Sequence, residues 1–364
     1  MPHTYIIAEA GVNHNGNLDN ALKLVDIAVK AGADAVKFQT FKTENLVSVA
    51  AEKAAYQQKT TDAEESQFTM LKRLELDQHS HEVLINYCKE SGIQFLSSPF
   101  DLDSLQLLIE LKIPTIKLGS GEITNSPLLL ACAQTQKPMI LSTGMATIAE
   151  IEQALAVLSF GYIYPSITPT SLEQCYQTYI SAQGQAALHH KVSLLHCTTE
   201  YPAPFNEINL QVINSLAQIF GLPIGFSDHT EGITIPIAAV ALGAKIIEKH
   251  ITLDKNMSGP DHSASLSPEE LVDMVKSIRQ VEQALGQPQK IPTLSEQKNR
   301  HCARKSLVAK KNISKGELFT ADNLTTKRPE AGVSPHSYWE IIGKIATKSY
   351  KTDDIIFLNK NLDN

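Results

Sequence analysis

Between residue 4 and about residue 290 the chain alternates short runs of β-branched and aliphatic residues with longer stretches of helical periodicity. That alternation is the signature of βα units built around a parallel sheet. Eight units can be counted, with strands expected at YIIAEA (5–10), AVKFQT (35–40), IQFLSSP (93–99), PTIKLGS (114–120), PMILST (138–143), VSLLHC (192–197), PIGFSD (223–228) and KIIEKH (245–250). Eight units over this length match a closed (β/α)8 TIM barrel of about 250 residues. Against the alternative, an open doubly wound sheet, no G-x-G-x-x-G follows the first strand, although that fingerprint marks only one subclass of open sheets.

Two stretches interrupt the rhythm. Residues 41–76 follow the second strand, so in a barrel they belong to the catalytic face, where they form a candidate lid. Residues 160–190 precede the sixth strand on the opposite face and read as peripheral. The barrel is expected to occupy 1–290, and the polar stretch around TLSEQKNRHCARK reads as a linker, 291–304. Residues 305–364 carry the β-like runs SLVAKK and IIFLN, two turns and little helix, which suggests a small second domain near the lower size limit for independent folding.

Within a barrel strand every second side chain points to the axis and the others meet the helices. By this rule Val36, Phe38, Ile116 and Leu118 face the helices, while Lys37, Gln39 and Lys117 point inward. Two buried ammonium groups need anionic partners. Those partners are either internal, with Glu9 or Glu248, or a bound phosphate or carboxylate. Hydroxyls recur at the strand ends (Ser97, Ser98, Ser120, Ser142, Thr143, Ser227), where they can donate to phosphate oxygens at the barrel mouth. A serine beside Gly or Pro ordinarily just makes a turn, so it is the recurrence that counts.

In GFSDHT, Ser227 and His229 share a face, and in EKHI so do Glu248 and His250, bringing two imidazoles to the same space. Such a pair can seat a divalent metal with positions open to substrate, or be two core histidines bonded to backbone carbonyls. His196 reads as an inward, packed residue near the end of strand six, and His14 could serve either purpose. Glu122 and Asp261 follow strands four and eight at the catalytic face, as general acid or base, as sugar-hydroxyl acceptors, or as loop-capping carboxylates.

Composition narrows the setting. Five cysteines without CxxC spacing suggest neither a disulfide framework nor a thiolate zinc site. The N-terminus has no signal-peptide pattern and no run of about 18 apolar residues occurs, so a cytoplasmic protein without a membrane partner is expected. A formal net charge of −7 without a clustered basic run argues against nucleic acid as a partner. An anionic substrate would have to be held by locally placed lysines.

Nine segments in order, IIAEAGVNHNG (6–16), AVKFQT, FLSSPFD (95–101), KLGSGEI (117–123), LSTGMAT (141–147), LLHCTTEYPAP (194–204), GFSDHT (225–230), EKHITLDKNMSGPDH (248–262) and TTKRP (325–329), closely resemble the sialic acid synthases, in particular bacterial N-acetylneuraminate synthases. The C-terminal segment resembles the antifreeze-like (SAF) domain that follows the barrel in that family. The resemblance implies condensation of phosphoenolpyruvate with open-chain N-acetylmannosamine and water, giving N-acetylneuraminate and phosphate, with Mn²⁺ or Mg²⁺. It implies phosphoenolpyruvate binding by Lys37, Ser98, Lys117, Ser120, Ser142, Thr199 and Ser227, where Thr199 stands at a position some members fill with Asn. It implies metal ligation by His229 and His250, and sugar binding by Glu9, Gln39, Tyr201 and Asp261. Glu122 matches the acidic residue that handles the water and the tetrahedral intermediate. Arg328 matches an arginine that one subunit of a domain-swapped homodimer inserts into its partner's site against the N-acyl group. The family commonly continues KRPG, whereas here Glu330 and Ala331 follow, so the loop carrying Arg328 is expected to sit differently.

Three other readings compete. The same chemistry on a 2,4-diacetamido hexose would make a legionaminic acid synthase. A Schiff-base aldolase would use Lys117 with pyruvate and no metal. A non-catalytic sugar-binding protein would keep the pocket without turnover.

Overall fold

The structure, a computed structural model, describes residues 3–49, 51–54, 58, 61–62 and 65–357 and divides into two compact units, Met1–Gly286 and Gln287–Asn364. In the first unit eight strands alternate with helices: β1 (Tyr5–Gly11), β2 (Ala35–Thr40), β3 (Gln94–Pro99), β4 (Ile116–Leu118), β5 (Met139–Ser142), β6 (Val192–Cys197), β7 (Ile224–Asp228) and β8 (Ile246–His250). All neighbours pair in parallel, in the order β3-β2-β1-β8-β7-β6-β5-β4. β3 and β4 lie side by side and close the barrel without a hydrogen-bonded ladder between them. The expected TIM barrel is the observed one.

Strand alternation builds the barrel in layers. One parity, including Val36, Phe38, Phe226 and Ile247, enters the main core between sheet and helices. The other parity starts at the bottom with an apolar floor of Ile7, Ala35, Leu96, Ile140, Leu195 and Ile246. Two residues further along the same strands stand Glu9, Lys37, Ser98, Ser142, Cys197 and Glu248, so a polar layer rests on an apolar one. β7 contributes Gly225 at floor level, where an added Cβ would lie 2.5 Å from the Ile246 carbonyl oxygen and 2.5 Å from Leu195 Cδ2.

The outer helices follow from local chemistry. The last helix of the barrel, Pro268–Leu285, starts with a Ser267/Glu270 capping box and a proline whose missing N–H is not needed there. The 160–190 segment forms helices Leu172–Tyr179 and Ala182–Lys191, the former packed on Ile148–Ile163, an addition to the outside of the barrel. Over the catalytic face, helix Gln67–Lys72 of the candidate lid sends Met70 into an apolar cluster with Val12, Phe41 and Leu74. Lys53 is buried there against Glu65 at 3.1 Å. Positions 50, 55–57, 59–60 and 63–64 of that segment lie outside the described residues.

The second unit has its own core, including Leu307, Ala309, Ile313, Phe319, Leu324, Tyr350 and Ile356. β9 (Ser306–Ala309) and β10 (Leu324–Lys327) pair antiparallel, and Ile355 of the IIFLN run bridges Val308, while positions 358–359 of that run lie outside the described residues. Within the stretch expected to be a linker, 291–304, stands a helix, Leu294–Ala303. Its polar composition hid a Thr293/Glu296 capping box and good helix formers that need no buried face. The loop after β10 is fixed without glycine at its start: Arg300 grips Glu330 through two bonds of 3.0 and 3.2 Å, and neither Glu330 nor Ala331 has a positive φ.

Gly225→Ala is expected to overpack the barrel floor by about 1–3 kcal/mol. A clear fall in the thermal midpoint of the barrel is the predicted reading, and an unchanged midpoint would contradict the close contact.

Candidate active site

A cavity of about 230 Å³ opens at the C-terminal ends of the strands. Of the residues singled out in the sequence, Glu9, Lys37, Gln39, Ser98, Lys117, Ser120, Ser142, Thr199, Tyr201, Ser227, His229, His250 and Asp261 line it. Glu122 does not. It stands one residue beyond the lining Gly121, in a short 3-10 turn where its carboxylate accepts from Asn125 Nδ2 at 2.7 Å. Arg328 belongs to the second unit, at whose surface it is exposed just after β10.

The bottom of the cavity is a four-charge cluster. Lys37 Nζ lies 2.6 Å from Glu9 Oε2 and 3.7 Å from Glu248 Oε2, and Lys117 Nζ lies 3.2 Å from Glu248 Oε1. The lysines therefore have internal partners, as one of the two sequence-based alternatives required. They also donate to hydroxyls, Lys37 to Ser98 at 3.3 Å and Lys117 to Ser142 at 2.9 Å, while Ser227 donates to Glu248 at 2.8 Å. Burial pushes Glu9 above the usual carboxylate range despite Lys37. Burial acts the same way on Glu248, but the Lys117 and Lys37 ammonium groups overcome it and hold that carboxylate low. Lys117 is lowered by burial, with Lys37 beside it.

Two residues expected on the inner side face elsewhere, although His196 is packed as its sequence reading has it. His196 points to the helix layer, where Nε2 pairs with the Ile208 carbonyl at 2.7 Å and the ring lies 5.7 Å from Phe226. The inward residue at the end of β6 is Cys197, whose Sγ lies 3.1 Å from Ser120 Oγ. VSLLHC is apolar on both parities, so only the register that puts Leu195 in the floor reveals which way the strand end turns. Ser97 likewise faces out and bonds Thr40 at 2.6 Å. The apolar lining residues Val12, Met70, Leu71 and Phe100 carried no sequence signal distinct from core.

Gly144, just past β5, lets the mouth assemble. Its N–H donates to Ser120 Oγ at 2.8 Å, and a Cβ there would sit 2.4 Å from Thr199 Oγ1.

The two histidines stand at the mouth with ring centroids 5.6 Å apart. His229 Nδ1 lies 2.6 Å from the Thr198 carbonyl, an arrangement that needs the proton on Nδ1 and leaves Nε2 an acceptor, 3.4 Å from Ser227 Oγ, whose own proton goes to Glu248. Tyr201 stacks on His229 at 4.1 Å and meets His250 edge-on. His250 Nδ1 is buried without a hydrogen-bond partner, 3.9 Å from Asp261 Oδ2. Burial holds His229 down to about 4 and His250 well below its ordinary value, and pushes Asp261 up to about 6. Two neutral imidazoles, one with an orphaned nitrogen, fit a divalent cation. Among the described residues no group of three or more His, Cys, Asp or Glu side chains has metal-holding spacing, so such an ion would keep most positions for water or substrate.

Comparison with known proteins adds an independent line. A family model described as the NeuB family matches residues 24–290, and one described as the SAF domain matches residues 304–360. The chain is 53% identical over 356 residues to N,N'-diacetyllegionaminic acid synthase of Campylobacter jejuni, covering 98% of this chain and 99% of that protein. It is 41% identical over 339 residues to N,N'-diacetyllegionaminic acid synthase of Legionella pneumophila, covering 93% and 89%. Among solved structures, N-acetylneuraminic acid synthetase from Leptospira borgpetersenii in complex with citrate superposes with a TM-score of 0.66 at 32% identity, covering 81% of this chain and 90% of that one.

The pKa of His229 predicts a pH signature. Its folded value lies below its ordinary 6.5, at about 4, so the folded state binds this proton less readily than the unfolded chain. Its contribution is complete above 6.5 and is lost as pH falls through 4. His229→Gln lacks that loss, so its melting temperature relative to wild type should rise as pH is lowered from 6.5 to 4; a flat difference would refute the burial of a neutral imidazole.

Proposed function

The chain belongs to the NeuB family, and from that premise we propose that it condenses phosphoenolpyruvate with an open-chain 2,4-diacetamido hexose and water, giving N,N'-diacetyllegionaminic acid and phosphate. The observation that carries this choice is the 53% identity over essentially the full length of a synthase of that product. It favours this reading over the first expectation from sequence, N-acetylmannosamine as the sugar.

The cavity supports the reaction class. Lys37 and Lys117, with Ser98 and Ser142 as their hydroxyl partners, offer two buried cations to an enol phosphate carrying both phosphate and carboxylate. Ser120, Thr199 and Ser227 add hydroxyl donors around them. Gln39, Tyr201 and Asp261 line the mouth, where they hold the sugar's hydroxyls and orient its aldehyde towards C3 of the enol. His229 and His250 would hold Mn²⁺ or Mg²⁺, which when bound supplies Lewis-acid polarisation of the aldehyde oxygen.

In this reading C3 of phosphoenolpyruvate forms the new bond to C1 of the aldehyde, and water adds to C2. The C2–O bond then breaks, phosphate leaves, and the keto acid remains. Lys37 and Lys117 stabilise the charge that collects on the departing phosphate. In this reading Glu9, raised by burial and beside Lys37, takes the proton of the water. Glu122 is directed to Asn125 and carries no step in this arrangement. The protein acts as a domain-swapped homodimer, with the exposed Arg328 of one subunit meeting the N-acyl group of a sugar bound in the other.

Phosphate release measured with both sugars tests the choice of substrate. The diacetamido hexose should exceed N-acetylmannosamine by at least about tenfold in kcat/KM, because polar groups built for an amide are left unpaired by a hydroxyl. The opposite order would restore N-acetylneuraminate as the product, and no release with either would remove the synthase reading. Phosphoenolpyruvate carrying ¹⁸O in the C2–O–P bridge should deliver that label to phosphate, whereas unlabelled phosphate would mean P–O cleavage and exclude water addition at C2.

A further inference from the structure

β7 and β8 carry side chains to two different places. Ser227, His229, Glu248 and His250 line the cavity, while the residues between them face the helices. There Asp228 and Lys249, partners across the ladder, form an ion pair at 2.6 Å with both side chains wholly buried. Asp228 also accepts from the Thr230 N–H at 3.0 Å and from its hydroxyl at 3.1 Å, and Lys249 donates to the Thr230 carbonyl. His229 is thus bracketed, since the residue before it is bonded to the residue after it, and both are bonded to the neighbour of His250.

Charges this far from water are costly to bury, and a well-packed apolar pair of similar volume would hold two strands together as well or better. The charged version adds direction, because each donor and acceptor is satisfied in only one relative placement of the two strand ends. Neither Asp228 nor Lys249 lines the cavity, so the reaction itself gives them no task.

We infer that Asp228, Lys249 and Thr230 are positioning residues that fix the relative placement of the His229 and His250 imidazoles for a divalent cation. The inference rests on the metal reading given above. Its test is Mn²⁺ binding to the metal-free full-length protein, followed by electron paramagnetic resonance. Phosphoenolpyruvate binding is measured by calorimetry, and folding by circular dichroism, on the same samples. Asp228→Leu combined with Lys249→Met removes both charges together and leaves neither unpaired. Thr230→Val removes one hydroxyl, and Thr230→Ser returns it.

The double variant should bind Mn²⁺ at least about tenfold more weakly, the range expected when the groups orienting metal ligands are lost. Thr230→Val should weaken it by about threefold with recovery in Thr230→Ser. Phosphoenolpyruvate affinity should be unchanged in all three. A folded double variant with wild-type Mn²⁺ affinity overturns the inference; should that variant not fold, wild-type affinity in Thr230→Val does so. Equal loss of both affinities also overturns it, since that marks general disruption. Wild-type protein that binds no Mn²⁺ removes the metal reading and this inference together, while the phosphate-release comparison of sugars judges the reaction separately.

Discussion

Two lysines and two glutamates share the buried centre of the barrel, and the rest of the site is arranged around keeping that cluster neutral. Lys37 cannot be ionised in this layer without Glu9 or Glu248, nor Lys117 without Glu248. The apolar floor beneath excludes water and raises the stakes of every pairing above it. An anion arriving here would meet cations that already have partners, so its binding would have to exchange carboxylates for the oxygens of the ligand. Such an exchange favours a ligand carrying two negative groups over one carrying a single negative group, because only the former can satisfy both lysines.

The period-two rule made much of this legible. It turned Lys37, Lys117, Ser227, His229, Glu248 and His250 inward, and all of them line the cavity. It failed where a strand gives no parity signal. His196 was expected inward and lies outward, because VSLLHC is equally apolar on both sides and the polar residue at its end invites the wrong choice. Ser97 failed for a related reason: a serine pair at a strand end must point in both directions, and only one of them can serve the site. For Glu122 chain order left catalytic and loop-capping readings open, and the 3-10 turn with its Asn125 bond, which accords with the second, cannot be read from that order. The helix at 294–303 escaped notice because its capping box lies in a polar stretch that resembles a linker in composition.

Sugar identity was the least legible feature. Residues on loops carry no fixed period from which the direction of a side chain can be read. Strand-end motifs bear on the reaction class and say little about the acceptor. Whole-chain similarity bears on the acceptor where motif content does not.

β3 and β4 meet without a ladder, and this has a mechanical meaning for the two lysines. Backbone hydrogen bonds resist sliding of one strand along another; they tie seven seams of the cylinder, while at the eighth β3 and β4 only lie side by side. Lys117 sits on one lip of that slit, and Ser98, the hydroxyl partner of Lys37, on the other. Going the other way round, the spacing of the two ammonium groups is carried through the side chain of Glu248, which touches both. The distance between the two cations is thus spanned by a single carboxylate.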